Sequence, residues 1–184
     1  SDLELKNQQF FIVTGANMAG KSTFLRTVAL NIVMSNVGLP VCAKRSKYKP
    51  IKLVTSMRTT DSLTDDSSYF FSELTRLKFI VDTIELDDSY FIILDEILKG
   101  TNSTDKAIGS RKFVEKLVKL NATGIIATHD LSLTEIESQL EAVKNYYFDA
   151  QIVNDELYFD YKLKRGICRS MNASLLMKKI GIEI

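Results

Sequence analysis

The sequence predicts an α/β fold: a largely parallel sheet flanked by helices, with a late antiparallel hairpin. Three observations predict it. Short apolar runs alternate with longer segments whose apolar residues recur every three or four positions. The runs are continuous rather than alternating, as strands covered on both faces require. Near the end the period changes to two.

The elements follow in order. Phe10-Phe11-Ile12-Val13-Thr14 reads as a buried strand, then a glycine-containing loop leads to a helix from about Lys21 to Asn36. That helix is expected to turn Phe24, Leu25, Val28, Ala29, Ile32 and Val33 inward. Val41-Cys42-Ala43 and Lys52-Leu53-Val54-Thr55 read as short strands. Tyr69 to Ile84 reads as a helix with Phe70, Leu74, Leu77, Val81 and Ile84 on one face. Tyr90-Phe91-Ile92-Ile93-Leu94, the most hydrophobic run, reads as a central strand. Asp105 to Leu120 returns to helix, with Ile108, Phe113, Val114, Leu117 and Val118 inward. Gly124-Ile125-Ile126-Ala127-Thr128 is another buried strand, and Leu133 to Leu140 a short helix. Tyr147 to Val153 and Leu157 to Leu163 read as antiparallel strands joined near Asn154-Asp155. Ala173 to Ile180 closes as an amphipathic helix.

With 184 residues, no repeat and no Pro/Gly/Ser-rich linker, one domain over 1–184 is the simplest expectation. Ser1 is not a methionine and the first strand begins almost at once, so the natural start of the protein is expected to be missing. The net charge of +1 lacks the basic excess of a free-standing nucleic-acid binder. The local basic stretch Lys44, Arg45, Lys47, Lys49 and Lys52 reads as a solvated loop or edge strand. Cys42 and Cys168 have neither a disulfide pattern nor metal-ligand spacing, which is compatible with a reducing cytoplasm. No apolar run has membrane-spanning length, so no membrane contact is expected.

Gly15-Ala16-Asn17-Met18-Ala19-Gly20-Lys21-Ser22 fits G-x-x-x-x-G-K-S/T in full, between a strand and a helix. Glycines let such a loop wrap closely around phosphates, and its amides with the helix dipole attract negative charge. Lys21 is expected to reach the β- and γ-phosphates of ATP, and the Ser22 hydroxyl to ligate Mg²⁺. Asp95-Glu96 follow the Tyr90–Leu94 run, at the strand end where ligands bind in open α/β sheets. Asp95 is expected to hold Mg²⁺ together with Ser22, and Glu96 to polarise the attacking water. His129 follows the next buried strand; beside the Asp95 strand it would sense the phosphate or orient water. These motifs point to a Mg²⁺-dependent ATPase of the P-loop NTPase class, with Glu96, Lys21 and His129 as its catalytic candidates.

At these residues the sequence resembles the ATPase domain of the MutS mismatch-repair family, within the ABC-type ATPases. Thr14-Gly15-Ala16-Asn17-Met18-Ala19-Gly20-Lys21-Ser22-Thr23 is similar to T-G-x-N-M-x-G-K-S-T, and the Asn-Met pair is the discriminating part. The resemblance implies nucleotide binding by Gly15 through Thr23. Asp95-Glu96-Ile97-Leu98-Lys99-Gly100-Thr101-Asn102-Ser103-Thr104-Asp105 resembles D-E-I-x-x-G-T-x-x-x-D, and His129 stands where the family has a T-H switch. Phe159-Asp160-Tyr161-Lys162-Leu163 followed by Gly166 resembles the strand that places a ring against adenine, which makes Tyr161 the stacking candidate. In the segment from Asp61 to Leu74, Ser68, Phe70 and Glu73 match a signature that completes the partner subunit's nucleotide site. Asp66 departs from a position that is often glycine, and its charge would repel a partner's phosphate; it hints at a divergent paralogue.

The resemblance implies that 1–184 is the C-terminal part of a larger protein, an ATP-dependent homodimer driving a DNA mismatch-repair clamp, with DNA contacted through other domains of the parent protein. It implies a cytoplasmic setting, nucleoid-associated in a bacterium. Two other readings remain. One is an ABC-type ATPase of another system, which usually carries an L-S-G-G-type signature and a glutamine-bearing loop, neither found here. The other is a module that uses nucleotide only as a dimerisation switch, against which Glu96 argues.

Overall fold

The computed structural model describes residues 2–16, 18–57, 66–153 and 156–168, with backbone alone at positions 66–69, 152, 153 and 157. Its elements run β1 (Phe10–Gly15), α1 (Lys21–Asn36), β2 (Lys52–Ser56), α2 (Asp66–Leu86), β3 (Tyr90–Asp95), α3 (Ser103–Lys119) and β4 (Thr123–Ala127). A 3-10 helix (Leu131–Ser138) follows, then β5 (Val143–Phe148), β6 (Gln151–Val153), β7 (Glu156–Tyr158) and β8 (Leu163–Arg165). Six strands form one sheet in the order β2-β3-β4-β1-β5-β8. The first five are mutually parallel, and β8 runs antiparallel to β5 at the edge. The expected α/β class with a mostly parallel sheet flanked by helices is what forms.

The continuous apolar runs are explained by two covered faces. Along β1, Phe10 and Ile12 join one core with Leu77, Ile80 and Ile84 of α2 and Val114 and Leu117 of α3. Phe11 and Val13 point the other way, into a second core with Leu25 of α1 and Phe148 of β5. Side chains alternate across a strand, so a strand between two helical layers carries a continuous apolar run rather than an alternating one.

Helix ends are set by local chemistry. At the end of α1 the Leu39 amide donates to the Met34 carbonyl at 2.8 Å and the Gly38 amide to Ser35 at 3.1 Å. This is a Schellman stop, with Gly38 at φ 75°. The N-terminus of α3 is capped by Asn102, whose side chain accepts from the Asp105 amide at 2.9 Å.

Several expectations are corrected. Val41–Ala43 forms no strand; Ala43 turns back to donate to the Val41 carbonyl at 2.9 Å, and Cys42 is exposed. A three-residue apolar run between Pro40 and a lysine-rich stretch lacks the partner strand that would define it. The segment expected as the first hairpin strand is split. Residues 143–148 join the main sheet parallel to β1, and the hairpin is only β6 with β7, bracketing positions 154–155. The inward line of α2 is Phe70, Glu73, Leu77, Ile80 and Ile84, while Leu74 is exposed. Val33 and Ile108 are likewise exposed. The expected helix at Ala173–Ile180 lies outside the described residues.

Parallel register brings three strand ends to one edge. Val13 of β1 and Asp95 of β3 both pair with Ala127 of β4. The loops leaving β1, β3 and β4 therefore emerge side by side, which is where ligands bind in open α/β sheets.

Candidate active site

Glycine shapes the loop after β1. Gly15 has φ 144°, and a Cβ there would stand 2.6 Å from the Phe148 carbonyl oxygen. Only a bare α-carbon lets the loop leave β1 while β5 runs alongside. Gly20 has φ 98° and caps α1 with no side-chain hydrogen bond to the first turn. Among the described residues no side chain caps the first-turn amides of α1, which lie at the positive end of the helix dipole, an arrangement suited to an anion. Met18 also has positive φ and is exposed, Ala19 is fully buried, Ser22 is half-buried, and Ala16 and Thr23 are exposed. Asn17 lies outside the described residues.

Lys21 is buried, and its Nζ donates to the carbonyls of Gly15 at 2.6 Å and Ala16 at 3.0 Å. Burial lowers the pKa of its ammonium, while the carboxylates of Glu96 and Asp95 oppose that shift. The charge coupling brings the loop after β1 and the end of β3 into one electrostatic unit.

Asp95 is the buried last residue of β3. Glu96 follows in a left-handed conformation, φ 50°, with its amide donating to the Ala127 carbonyl at 2.9 Å. The turn aims the carboxylate at two nitrogen donors. Oε1 lies 2.7 Å from Nδ1 of His129, and Oε2 lies 2.9 Å from Nζ of Lys99. Burial pushes the Glu96 carboxyl up, but hydrogen bonds and charge from His129 and Lys99 outweigh it and hold the pKa down to about 2. An ionised carboxylate can only accept, so Nδ1 of His129 carries the hydrogen and Nε2 is left for another partner.

The residues expected from sequence are largely brought together: the Gly15–Ser22 loop, Lys21, Asp95, Glu96 and His129 share one edge. Tyr161 also reaches it, from the connection between β7 and β8 rather than from the hairpin. A Cβ on Gly20 would meet Tyr161 Cδ1 at 2.9 Å, so the ring stands over the start of α1. Ser68 lies in the first turn of α2, and its side chain is outside the described residues.

Two further side chains touch this group: Lys99, to which the sequence assigns no role, and Glu73, expected there only as part of the signature facing a partner's nucleotide. Lys99 sat at an unspecified position of its motif, yet it forms the ion pair with Glu96. Glu73 accepts from the backbone amides of Leu98 and Lys99 at 2.8 and 3.2 Å. Burial raises its pKa, and these amide donors oppose that rise. The sequence signal for Glu73 is its place in the signature segment; Lys99 has none.

The oxygen donors Ser22 and Asp95 are hard ligands that suit Mg²⁺. Among the described residues no group of three His, Cys, Asp or Glu forms a protein-only metal cage. Mg²⁺ commonly takes one or two carboxylates and completes its shell with water and substrate phosphate, so the residues present fit it.

Among the described residues no helix is long and apolar enough to cross a membrane. The family model for MutS domain V matches residues 11–180. Human MutS protein homolog 4 is 33% identical over 184 residues, covering 96% of this chain and 19% of that protein. The DNA mismatch repair protein MutS of Caldicellulosiruptor saccharolyticus is 32% identical over 188 residues, covering 99% of this chain and 22% of that protein. The MutS of Persephonella marina is 31% identical over 180 residues, covering 97% and 20%. The chain spans about a fifth of the length of these curated relatives. A match that begins inside β1 and runs across nearly all of the sequence shows that this chain belongs to the MutS domain V family.

Proposed function

We propose that residues 1–184 form a single P-loop NTPase domain of the ABC-type class, which binds and hydrolyses Mg·ATP within a larger MutS-type protein acting in DNA mismatch repair. The observation that carries this reading is the shared edge of β1, β3 and β4. A glycine loop with a buried lysine lies there beside Asp95 and the ionised Glu96 bonded to His129. The repair assignment rests on family membership and on the relatives named DNA mismatch repair protein MutS.

In this reading the Gly15–Thr23 segment wraps the triphosphate, and Lys21 exchanges its carbonyl partners for β- and γ-phosphate oxygens. Mg²⁺, held through Ser22 and Asp95, would neutralise phosphate charge. Glu96 accepts a hydrogen bond from the attacking water and orients its oxygen toward the γ-phosphorus. As the bond from the water oxygen to the γ-phosphorus forms, the bond from that phosphorus to the bridging oxygen of ADP breaks, and the water's proton passes by way of Glu96 to the phosphate or solvent, giving ADP and inorganic phosphate. His129 fixes the Glu96 carboxylate through Nδ1 and leaves Nε2 to contact the γ-phosphate or the water. Tyr161 stacks on adenine. Ser68 completes the nucleotide site of a second copy in an ATP-dependent homodimer, and DNA is contacted mainly through other domains of the parent protein.

The test is Glu96→Gln. It should bind Mg·ATP as the wild type does and turn it over at least about 100-fold more slowly, since the amide is neither an acceptor pair nor a base. Equal turnover would remove Glu96 from the chemistry.

A further inference from the structure

The loop carrying Glu96 is gripped from two sides. Glu73, inward on α2, accepts from the amides of Leu98 at 2.8 Å and Lys99 at 3.2 Å. One turn earlier on α2, Phe70 presses on Gly100, where a Cβ would stand 2.7 Å from Phe70 Cβ. From α3, Gly109 leaves room for Leu98, whose Cδ1 would be 2.6 Å from a Cβ at that position. The loop needs such a grip. Glu96 and Leu98 have φ of 50° and 59°, a left-handed conformation that non-glycine residues keep only when their surroundings enforce it. Lys99, oriented by its own amide on Glu73, reaches back to Glu96 Oε2 at 2.9 Å.

We propose that Glu73 and Lys99 are positioning residues for Glu96, coupling the placement of α2 to the orientation of the Glu96 carboxylate. The inference rests on the reading of Glu96 as the hydrolytic carboxylate. The first turn of α2 carries Ser68, the residue assigned to a partner's nucleotide. A shift of α2 on partner engagement is then passed through Glu73 to the loop, and through Lys99 to Glu96. Hydrolysis in one subunit is tuned by what its α2 touches, with no change in the residues that hold its own ATP.

His129 is the single histidine of the chain, so its ring resonances report the Glu96 contact without ambiguity. The experiment compares the 184-residue chain with Glu73→Gln, Lys99→Met, Lys99→Arg and Glu96→Gln. Glutamine at position 73 keeps the volume but sets an amide donor against the Lys99 N–H. Glu73→Gln and Lys99→Met should shift the His129 ring signals, lower kcat for Mg·ATP at least about tenfold, and leave the ATP Kd within about twofold. Lys99→Arg should restore most of the rate. Unchanged kcat and unchanged His129 signals in both variants, with Glu96→Gln inactive, would overturn the coupling and leave the hydrolytic reading intact. A Kd that worsens in parallel with kcat would overturn it too, as a merely structural effect. If Glu96→Gln is fully active, the hydrolytic reading fails and the His129 signals alone decide whether Glu73 and Lys99 position Glu96. If Glu73→Gln does not fold, Lys99→Met, in a loop and outside the helical core, decides the outcome.

Discussion

Nδ1 of His129 lies 2.7 Å from Oε1 of Glu96, joining the residues that follow β4 and β3. Neighbouring parallel strands make the contact possible, because the loops leaving them at the same edge start side by side. The contact fixes the imidazole tautomer and, with Lys99, keeps a partly buried carboxylate ionised.

This network predicts a specific acid response. The Glu96 pKa lies at about 2 in the fold against an ordinary 4.5, because burial raises it less than the hydrogen bonds from His129 and Lys99 and the charge of Lys99 lower it. A depressed folded pKa gives a stabilisation present above about 4.5 and lost as pH falls through that range toward 2. In nucleotide-free, chelator-treated samples, wild type should exceed Glu96→Gln by on the order of 1–3 kcal/mol at neutral pH. Urea unfolding at several pH values checks this; a gap that stays constant from neutral pH to about pH 2 contradicts it.

Lys21→Ala should weaken ATP binding by at least about tenfold, since one charge-assisted contact contributes about 1.5–3 kcal/mol. The chain should stay folded, because among the described residues the Lys21 ammonium bonds to the backbone carbonyls of Gly15 and Ala16 and to no core side chain. Titration calorimetry giving equal affinities would reject the phosphate role.

Tyr161→Ala should weaken ATP and ADP by the same factor, roughly 5- to 100-fold for the loss of one stacking ring. Turnover of bound ATP should be unchanged. The ring stands against Gly20, so Gly20→Ala, which adds a Cβ 2.9 Å from Tyr161 Cδ1, should displace it and weaken both nucleotides as well. A nucleotide-bound structure with the base far from Tyr161 would end this assignment.

Glu96→Gln with Mg·ATP should form a two-fold dimer detectable by light scattering, because hydrolysis no longer releases the shared nucleotides. Adding Ser68→Ala should weaken it, and Asp66→Gly should strengthen it by removing the charge that the family resemblance sets against a partner's phosphate. Duplex DNA should bind poorly to all these variants, since a chain of net charge +1 offers little counterion release. A monomer under every condition would reject the composite site, and tight, salt-resistant DNA binding would reject the assignment of DNA contact to other domains.

The sequence alone determined the layered α/β class, because a strand covered on both faces carries a continuous apolar run, as 10–13 in β1, 91–94 in β3 and 124–127 in β4 do. It also determined which residues enter the site wherever the chemistry is local: the glycine loop, the acids after β3 and the histidine after β4 are fixed by their place at strand ends. The tertiary structure decided what depends on partners distant in sequence. Val41–Ala43 looked like a strand but has no strand to pair with, while Val143–Phe148 became a parallel strand because β1 lay open beside it. Leu74 yielded its expected inward place to Glu73 because backbone amides of the 96–100 loop, more than twenty residues away, stood there to be accepted. A carboxylate is costly to bury without donors and favourable with them, and only the folded chain supplies the donors.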